Sequence, residues 1–551
     1  MKSHTRTSLL LALLVGVTVL PFLGNAYLFD WDEVNFAECA REMLVSGDYY
    51  HPQVDFEPFW EKPPLFFWVQ AAAMHLFGVN EFAARFPNAI VGIATVLLLA
   101  YTGRRWVDET FGALWALLWV GSLLPNFYMH SGLIDPLFNF LMVASTVAAL
   151  ESITSKRRWL LLSASGILLG LAVLTKGPVA ILLVGTPLLV VWWRQYGWSR
   201  TMADAAIVGA LSVVPFGLWL LSDRSSYGQW FMRSFIEYQL RLLTTGDAGH
   251  SGPLYYHVFV LLLGCFPASW LAFAAFRTSR RIEQLNAQSL LFATMLAVVV
   301  VVFSIVKTKI VHYSSLAYYP ITFFAAQALS RWWDHPERRR WIGAIALGTI
   351  VVGAAMIATP LVLSNQQLLL SLVHDPFARS IVETARPRWT GLEWMAGALA
   401  LGAAIIAIAL MRRMPRPAVV TLLVGIALSV SAFLRVVAPR IQDFTQRELV
   451  EFCRRYSNRD VILHPIGFKT YVHLFYGKRR PEQSPRHYGV ERSQWESFLL
   501  NGSIDRDVVF IAKRAKALDL LLRRDFVQLD DPHSAWLFLL RPRSPARGST
   551  F

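Results

Sequence analysis

The chain has 551 residues, of which 55% are hydrophobic, 13% aromatic and only 16% charged. Soluble domains carry about 25% charged residues, so this composition excludes a soluble globular class and indicates a polytopic membrane protein. The net charge of +15 does not point to nucleic acid, because the basic residues sit mostly in short connections between apolar segments, where they report topology. Cys39, Cys265 and Cys453 are too widely spaced for a disulfide framework or a metal knuckle.

A spanning helix takes about 20 mostly apolar residues, and on that measure the sequence predicts about 13 spans. They centre near 8–28, 85–103, 111–128, 133–150, 158–175, 178–193, 203–222, 254–276, 288–306, 314–330, 341–362, 393–411 and 416–437. Only Thr175-Lys176-Gly177-Pro178 separates the fifth from the sixth. The first could alternatively be a cleaved signal peptide, with Gly24-Asn25-Ala26 as a poor processing site. Alternate connections are basic: Arg104-Arg105, Lys156-Arg157-Arg158, Arg194 with Arg200, Arg277 with Arg280-Arg281, Arg338-Arg339-Arg340 and Arg412-Arg413. The positive-inside rule makes these cytoplasmic, together with Lys2 and Arg6 at the amino terminus. The loop 30–64, the turn 128–135, Lys176, the connection 223–253, the segment 307–313 and everything after 437 then share the opposite, external face.

The first external loop gathers Asp30, Asp32, Glu33, Asn35, Glu61 and Lys62 just outside the first apolar segment. Charged groups collected where a chain leaves a membrane are costly unless they bind something. Asp30 followed by Glu33 reads as a capping-box start for a helix that runs through 35–44 and stops at Gly47. The apolar run 64–78 is too short to span, starts at Pro63-Pro64, and suits an interfacial helix. Beyond 440 the composition turns charged and proline-punctuated. β-type runs at 461–465, 470–476, 508–512 and 536–540 and helical patterns at 444–456 and 515–524 predict a small α/β domain over 441–551, ending in a disordered tail. Residues 1–440 form the membrane domain on this reading, with the loop 29–84 as its catalytic part.

An acid-rich first loop, then Glu61-Lys62-Pro63-Pro64 and a run too short to span, resembles the polyprenyl-phosphate-sugar-dependent glycosyltransferases related to protein mannosyltransferases. Within that family the sequence is most similar to the aminoarabinose transferases that modify lipid A. The resemblance implies a large hydrophobic, GT-C-like membrane α fold. It makes Asp32, the first acid of the Asp-Glu pair, the catalytic carboxylate, with Glu33 beside it; the family usually has Arg where this chain has Asn35. Glycosyl transfer needs an anion beside the incoming group and the developing positive charge at the anomeric carbon. For Glu33 the plain alternative is an acid complementing the helix dipole. Lys62 inherits a contact to the lipid phosphate and Glu61 a place close by, where the alternative is an interfacial lysine snorkelling to headgroups. Asp135 of Ser131-Gly132-Leu133-Ile134-Asp135-Pro136 matches a family Asp-Pro directed at the site, although it could equally be an N-cap.

The remaining cations are expected to bind the donor phosphate. Arg241 lies in a long connection, and such loops are usually functional or disordered. That connection ends in His250-Ser251-Gly252-Pro253-Leu254-Tyr255-Tyr256, similar to a family His-Pro-Tyr-Tyr segment. Lys309 and Tyr313 come from Lys307-Thr308-Lys309-Ile310-Val311-His312-Tyr313, which resembles a family Lys-Thr-Lys-Leu-Pro-Tyr segment with Val311 where proline is often found. Lys176 joins them. Asp32, Glu61 and Asp135 could together hold a divalent cation, but no His spacing supports zinc, and Tyr238-Gln239 stand where some relatives have His-Asn. The activity that the resemblance implies is inverting transfer of a sugar, 4-amino-4-deoxy-L-arabinose in the aminoarabinose transferases, from undecaprenyl phosphate to lipid A or a related lipid at the periplasmic face of a bacterial inner membrane. Mannosylation of exported proteins is the rival within the family. A transporter is the rival outside it, but transporters bind near mid-membrane and often show repeats, whereas the acids here sit at one face.

Overall fold

The computed structural model describes residues 2–222, 227–245, 251–278, 286–332, 340–514, 517–529 and 534–544. His250, Arg280, Arg281, Arg338, Arg339 and the tail from 545 lie outside the described residues. Among the described residues, seven helices are long and apolar enough to cross a membrane, or up to nine if two bent pairs each count as one span. Several of the predicted spans fall short of that length: Asp135–Glu151 has 17 residues, Tyr318–Trp332 has 15 and Met395–Leu410 has 16. The predicted span 111–128 is Glu109–Val120 and Leu123–Met129 bent by 74°, and 254–276 is Tyr256–Gly264 and Ala268–Ala274 bent by 107°. Pro267 sits in the second break, where it has no N–H to continue a helix. The break between the fifth and sixth predicted spans is real. Gly177 ends Arg158–Lys176 at φ 125°, and Val179–Tyr196 starts directly after Pro178.

An aromatic knot fills the middle of the helical bundle. Trp115, Phe292 and Phe323 are buried with ring centroids 4.7–5.4 Å apart. The Trp115 indole N–H donates to Thr322 Oγ1 at 3.1 Å, so its polar atom is not stranded in an apolar core.

On one face, called here the loop face, the chain builds the helices Asp32–Ser46 and Leu65–Phe77, joined through a short hairpin of Gln53–Val54 and Glu57–Pro58. Above them lies a four-stranded sheet. Val461–Ile466 pairs in parallel with Asp507–Lys513, which pairs antiparallel with Trp536–Arg541, which carries Val527–Gln528 at its edge. The expected strand at 470–476 is instead a helical turn, Val472–Phe475. Tyr471, Val472, Leu474, Phe475 and Tyr476 are all buried, so the run has no solvent face and lacks the alternation that marks a strand. In the expected helix 515–524, residues 515 and 516 lie outside the described set and Leu518–Leu522 is a short 3-10 turn.

One hydrophobic core joins the loop to the sheet, with Phe36 and Phe67 from the loop helices and Phe452, Val509 and Phe538 from the C-terminal part. A buried polar seam lies beside it. Arg479 Nε donates to Asp55 Oδ1 at 2.8 Å, and Arg41 Nη2 donates both to Glu38 Oε1 at 2.6 Å and to the Arg479 carbonyl at 2.9 Å. The loop is therefore held from the membrane side and from above.

Candidate active site

Asp32 opens the helix Asp32–Ser46, which ends where the Gly47 N–H donates to the Met43 carbonyl at 3.0 Å with Gly47 in the left-handed region. The expected capping box does not form. Trp31 is the N-cap without a side-chain cap, and Asp30 Oδ1 accepts the Trp31 N–H at 2.8 Å instead. Asp32 keeps its carboxylate open, at 43% side-chain exposure, in a helical first turn that favours an anion.

Glu33 points the other way and is 2% exposed. Arg85 reaches it through Nε to Oε1 at 2.7 Å and Nη2 to Oε2 at 2.9 Å. The backbone N–H groups of Gly132 and Phe29 donate to the same carboxylate at 2.6 and 2.7 Å. Arg85 also donates to the carbonyls of Leu23, Ala26 and Tyr27. Glu33, expected beside the reacting centre, is thus an anchor that ties the loop helix to the helix Glu81–Trp106.

Asp135 is the first residue of Asp135–Glu151, with Ile134 as N-cap, so its carboxylate does not cap its own helix. Its Oδ1 accepts from Lys176 Nζ at 2.5 Å. His312 Nε2 lies 3.8 Å from Asp135 Oδ2 and 3.6 Å from Asp32 Oδ2. The imidazole therefore stands between the two acids, and the loop face brings Asp32, Asp135, Lys176 and His312 together. Burial outweighs the attraction of Asp135 and holds the His312 imidazole below its ordinary value, which keeps the ring neutral near pH 7. Tyr313 follows: Lys176 Nζ sits 5.2 Å from its ring centroid, and burial raises its hydroxyl. His312 was not singled out from the sequence. A histidine within Lys307–Tyr313 carries no spacing signal, and its partners belong to distant segments.

The second group of cations meets on one ring. Lys62 Nζ lies 5.0 Å and the Arg241 guanidinium 5.2 Å from the centroid of Tyr238, which also packs edge-on against Trp60 at 5.6 Å. Arg241 comes from the helix Tyr227–Thr244. Lys62 is among the charges bearing on both His312 and Tyr313, which links this cluster to the acid pair.

Lys309 departs from the expected phosphate ligand. It is 5% exposed, and its Nζ donates to the carbonyls of Phe303, Ser304 and Val306 at 2.9, 2.7 and 2.6 Å. All three of its donors serve the C-terminal end of Ala287–Ile305, where carbonyls lack helical partners and the dipole favours a cation. Lys309→Met is expected to lower stability by about 1.5–3 kcal/mol, the worth of a charged hydrogen-bonded group. Thermal unfolding in detergent measures this, and phospholipid-free polyprenyl phosphate should bind the folded variant as it binds the parent.

Glu61 is half-buried, and among the described residues no three His, Cys, Asp or Glu side chains converge as a metal-ligand set. The divalent-cation expectation for Asp32, Glu61 and Asp135 has no ready cage.

The architecture defines a class first: a multi-pass membrane protein of the large hydrophobic, GT-C-like fold, with a small sheet domain over its loop face. Across 97% of this chain and 98% of the other, it superposes with a TM-score of 0.77 on the crystal structure of ArnT from Cupriavidus metallidurans bound to undecaprenyl phosphate, at 20% identity. In sequence, residues 8–228 match the family model described as dolichyl-phosphate-mannose-protein mannosyltransferase. The chain is 28% identical over 370 residues to the undecaprenyl phosphate-alpha-4-amino-4-deoxy-L-arabinose arabinosyl transferase of Pseudomonas aeruginosa strain LESB58, covering 65% of each chain. It is also 28% identical over 335 residues, 59% of each chain, to the Erwinia tasmaniensis protein of the same name. The alignments span just under two thirds of these curated relatives. The resemblance read from the first loop therefore holds by sequence match and by fold.

Proposed function

We propose that this protein is a membrane glycosyltransferase that takes a sugar from a polyprenyl phosphate, with 4-amino-4-deoxy-L-arabinose on undecaprenyl phosphate as the donor and lipid A or a related lipid as the acceptor. The observation that carries the reading is the pair Lys62 and Arg241 on the Tyr238 ring, beside an acid pair bridged by His312. Two cations on one aromatic plate form a seat for a phosphate, where they offset the negative charge that grows as the glycosidic bond breaks. Asp32, open and close to that seat, orients the incoming acceptor and favours positive charge at the anomeric carbon. Lys176 holds Asp135 and lies over the Tyr313 ring. Of the acids Asp32, Glu33 and Asp135, Asp32 is open while Glu33 is committed to Arg85 and Asp135 to Lys176, which favours a single inverting displacement over a covalent intermediate. The basic connections of the sequence support a loop face on the periplasmic side of a bacterial inner membrane.

Transfer to hydroxyl groups of exported proteins is the second reading, favoured by the description of the matching family model. The names of the curated relatives favour aminoarabinose on undecaprenyl phosphate, rather than mannose, as the donor.

The donor seat is tested by titrating unglycosylated undecaprenyl phosphate into the protein in nanodiscs. Lys62→Ala and Arg241→Ala are each expected to weaken binding roughly 10- to 150-fold, the worth of a charge-assisted hydrogen bond. The double variant should lose less than the sum, because both groups hold one ligand. Parent-like binding by both single variants would leave these residues as interfacial anchors and remove the donor assignment.

A further inference from the structure

The residue in front of Asp32 has a backbone that a bulky side chain rarely adopts: Trp31 sits at φ 76° and ψ −113°. Such conformations persist only where the surroundings over-determine them, and they cluster at ligand clamps. The surroundings do so here. Asp30 Oδ1 accepts the N–H groups of both Trp31 and Tyr471, at 2.8 and 3.3 Å, while the Asp30 N–H donates to Gln446 Oε1 at 3.2 Å. Just upstream, Gln442 Oε1 accepts the Tyr27 N–H at 2.9 Å, and the Tyr476 hydroxyl accepts the Leu28 N–H at 2.7 Å. The C-terminal part thus grips residues 27–30 and turns the Trp31 indole outward.

The result is an aromatic face left 39% exposed beside the open Asp32 carboxylate. Lys469, itself exposed, lies with Nζ 5.3 Å from the Trp31 ring and 5.4 Å from the Tyr471 ring. Among the described residues no ion pair joins Lys469 to a carboxylate. Asp32 is among the charges bearing on the Tyr471 hydroxyl, which puts this edge on the Asp32 side of the loop. An indole face packs on the apolar face of a sugar ring, and an exposed ammonium is a point charge for phosphate. None of the three residues belongs to the donor seat, and in-line displacement brings the acceptor to the face of the sugar away from the leaving phosphate.

We propose that Trp31 and Lys469, the latter seated on the buried Tyr471 ring, form the acceptor subsite, in which Trp31 stacks on a sugar ring and Lys469 holds a phosphate carried by that sugar, presenting the acceptor to Asp32. The inference rests on the transferase reading and adds to it the residues that hold the acceptor. In the transfer step the acceptor oxygen forms its bond to the anomeric carbon while the bond from that carbon to the donor phosphate oxygen breaks. The electron pair leaves with the polyprenyl phosphate, and any proton on the acceptor oxygen passes to the Asp32 carboxylate.

The test titrates bisphosphorylated lipid A, and the same lipid after phosphatase treatment, into the full-length protein in nanodiscs, with undecaprenyl phosphate as a parallel titrant. Lys469→Ala is expected to weaken binding of bisphosphorylated lipid A about 10-fold and of the treated lipid hardly at all, as befits one charge-assisted contact. Lys469→Arg should restore most of the loss. Trp31→Ala should weaken both lipids, Trp31→Phe less so, and undecaprenyl phosphate should bind every variant as it binds the parent. Parent-like lipid A affinity in Lys469→Ala and in Trp31→Ala, or no lipid A binding by a parent that does bind undecaprenyl phosphate, overturns the subsite and leaves the transferase reading standing. A parent that does not bind undecaprenyl phosphate overturns both.

Discussion

Asp32→Asn should lower sugar transfer at least about 100-fold while membrane insertion and undecaprenyl phosphate binding stay close to the parent's, because loss of acid–base or electrostatic help at a reacting centre costs on that scale. The substitution keeps the shape of the side chain and removes only its charge. Among the described residues the Asp32 carboxylate makes no structural ion pair: it is 43% exposed, and the neutral His312 imidazole stands 3.6 Å away. The loop helix is anchored by the next residue, Glu33. Structure and charge can therefore be separated at this position. Radiolabelled sugar transfer from purified donor gives the turnover, and the undecaprenyl phosphate titration gives the binding. Near-normal turnover would take Asp32 out of the mechanism and leave the acid pair as a structural feature.

Arg85→Met is expected to cost about 3–5 kcal/mol, the largest stability loss of the substitutions considered, because removing one partner of a buried pair leaves an uncompensated charge. Glu33 would keep only the N–H groups of Gly132 and Phe29, and the carbonyls of Leu23, Ala26 and Tyr27 would lose their donors. Those carbonyls belong to the strand of chain that enters Trp31 and Asp32, so the loss should disorder the first loop before the helical bundle. Glu33→Gln, which keeps two acceptor-capable positions and removes the charge, should be destabilised less when made in the Arg85→Met background than in the parent. Thermal unfolding of the two single variants and the double variant, with limited proteolysis of the loop as a local probe, reads the outcome. Additive losses would show that the two residues do not act as a pair.

The gathering of the candidate residues on one face was legible in the sequence. Asp32, Lys62, Arg241, Asp135, Lys176 and Tyr313 stand on the loop face, and the run 64–78 is a 13-residue helix, Leu65–Phe77, too short to span. What those residues do was less legible. Asp32 and Glu33 are neighbours of similar chemistry, yet consecutive helical positions point about 100° apart, so one faces the recess and the other the core. The inward one became an anchor because Arg85, 52 residues away, is placed to receive it. Lys176 and Lys309 both looked like cations held for a phosphate. One neutralises Asp135, and the other closes the end of a helix, a difference set by which carbonyls and carboxylates lie within reach.

Composition and hydropathy by themselves determined that this is a multi-pass membrane protein with its acids gathered at one face, because burying charge in lipid is forbidden regardless of fold. The tertiary structure decided which of those charges remain open to a ligand. His312 enters the site from a segment distant in sequence from both Asp32 and Asp135, and Trp31 is turned outward by Asp30, Gln446 and Tyr471. Hydrogen bonds of that kind depend on distances between segments that no local periodicity encodes, so only the packed chain could assign them.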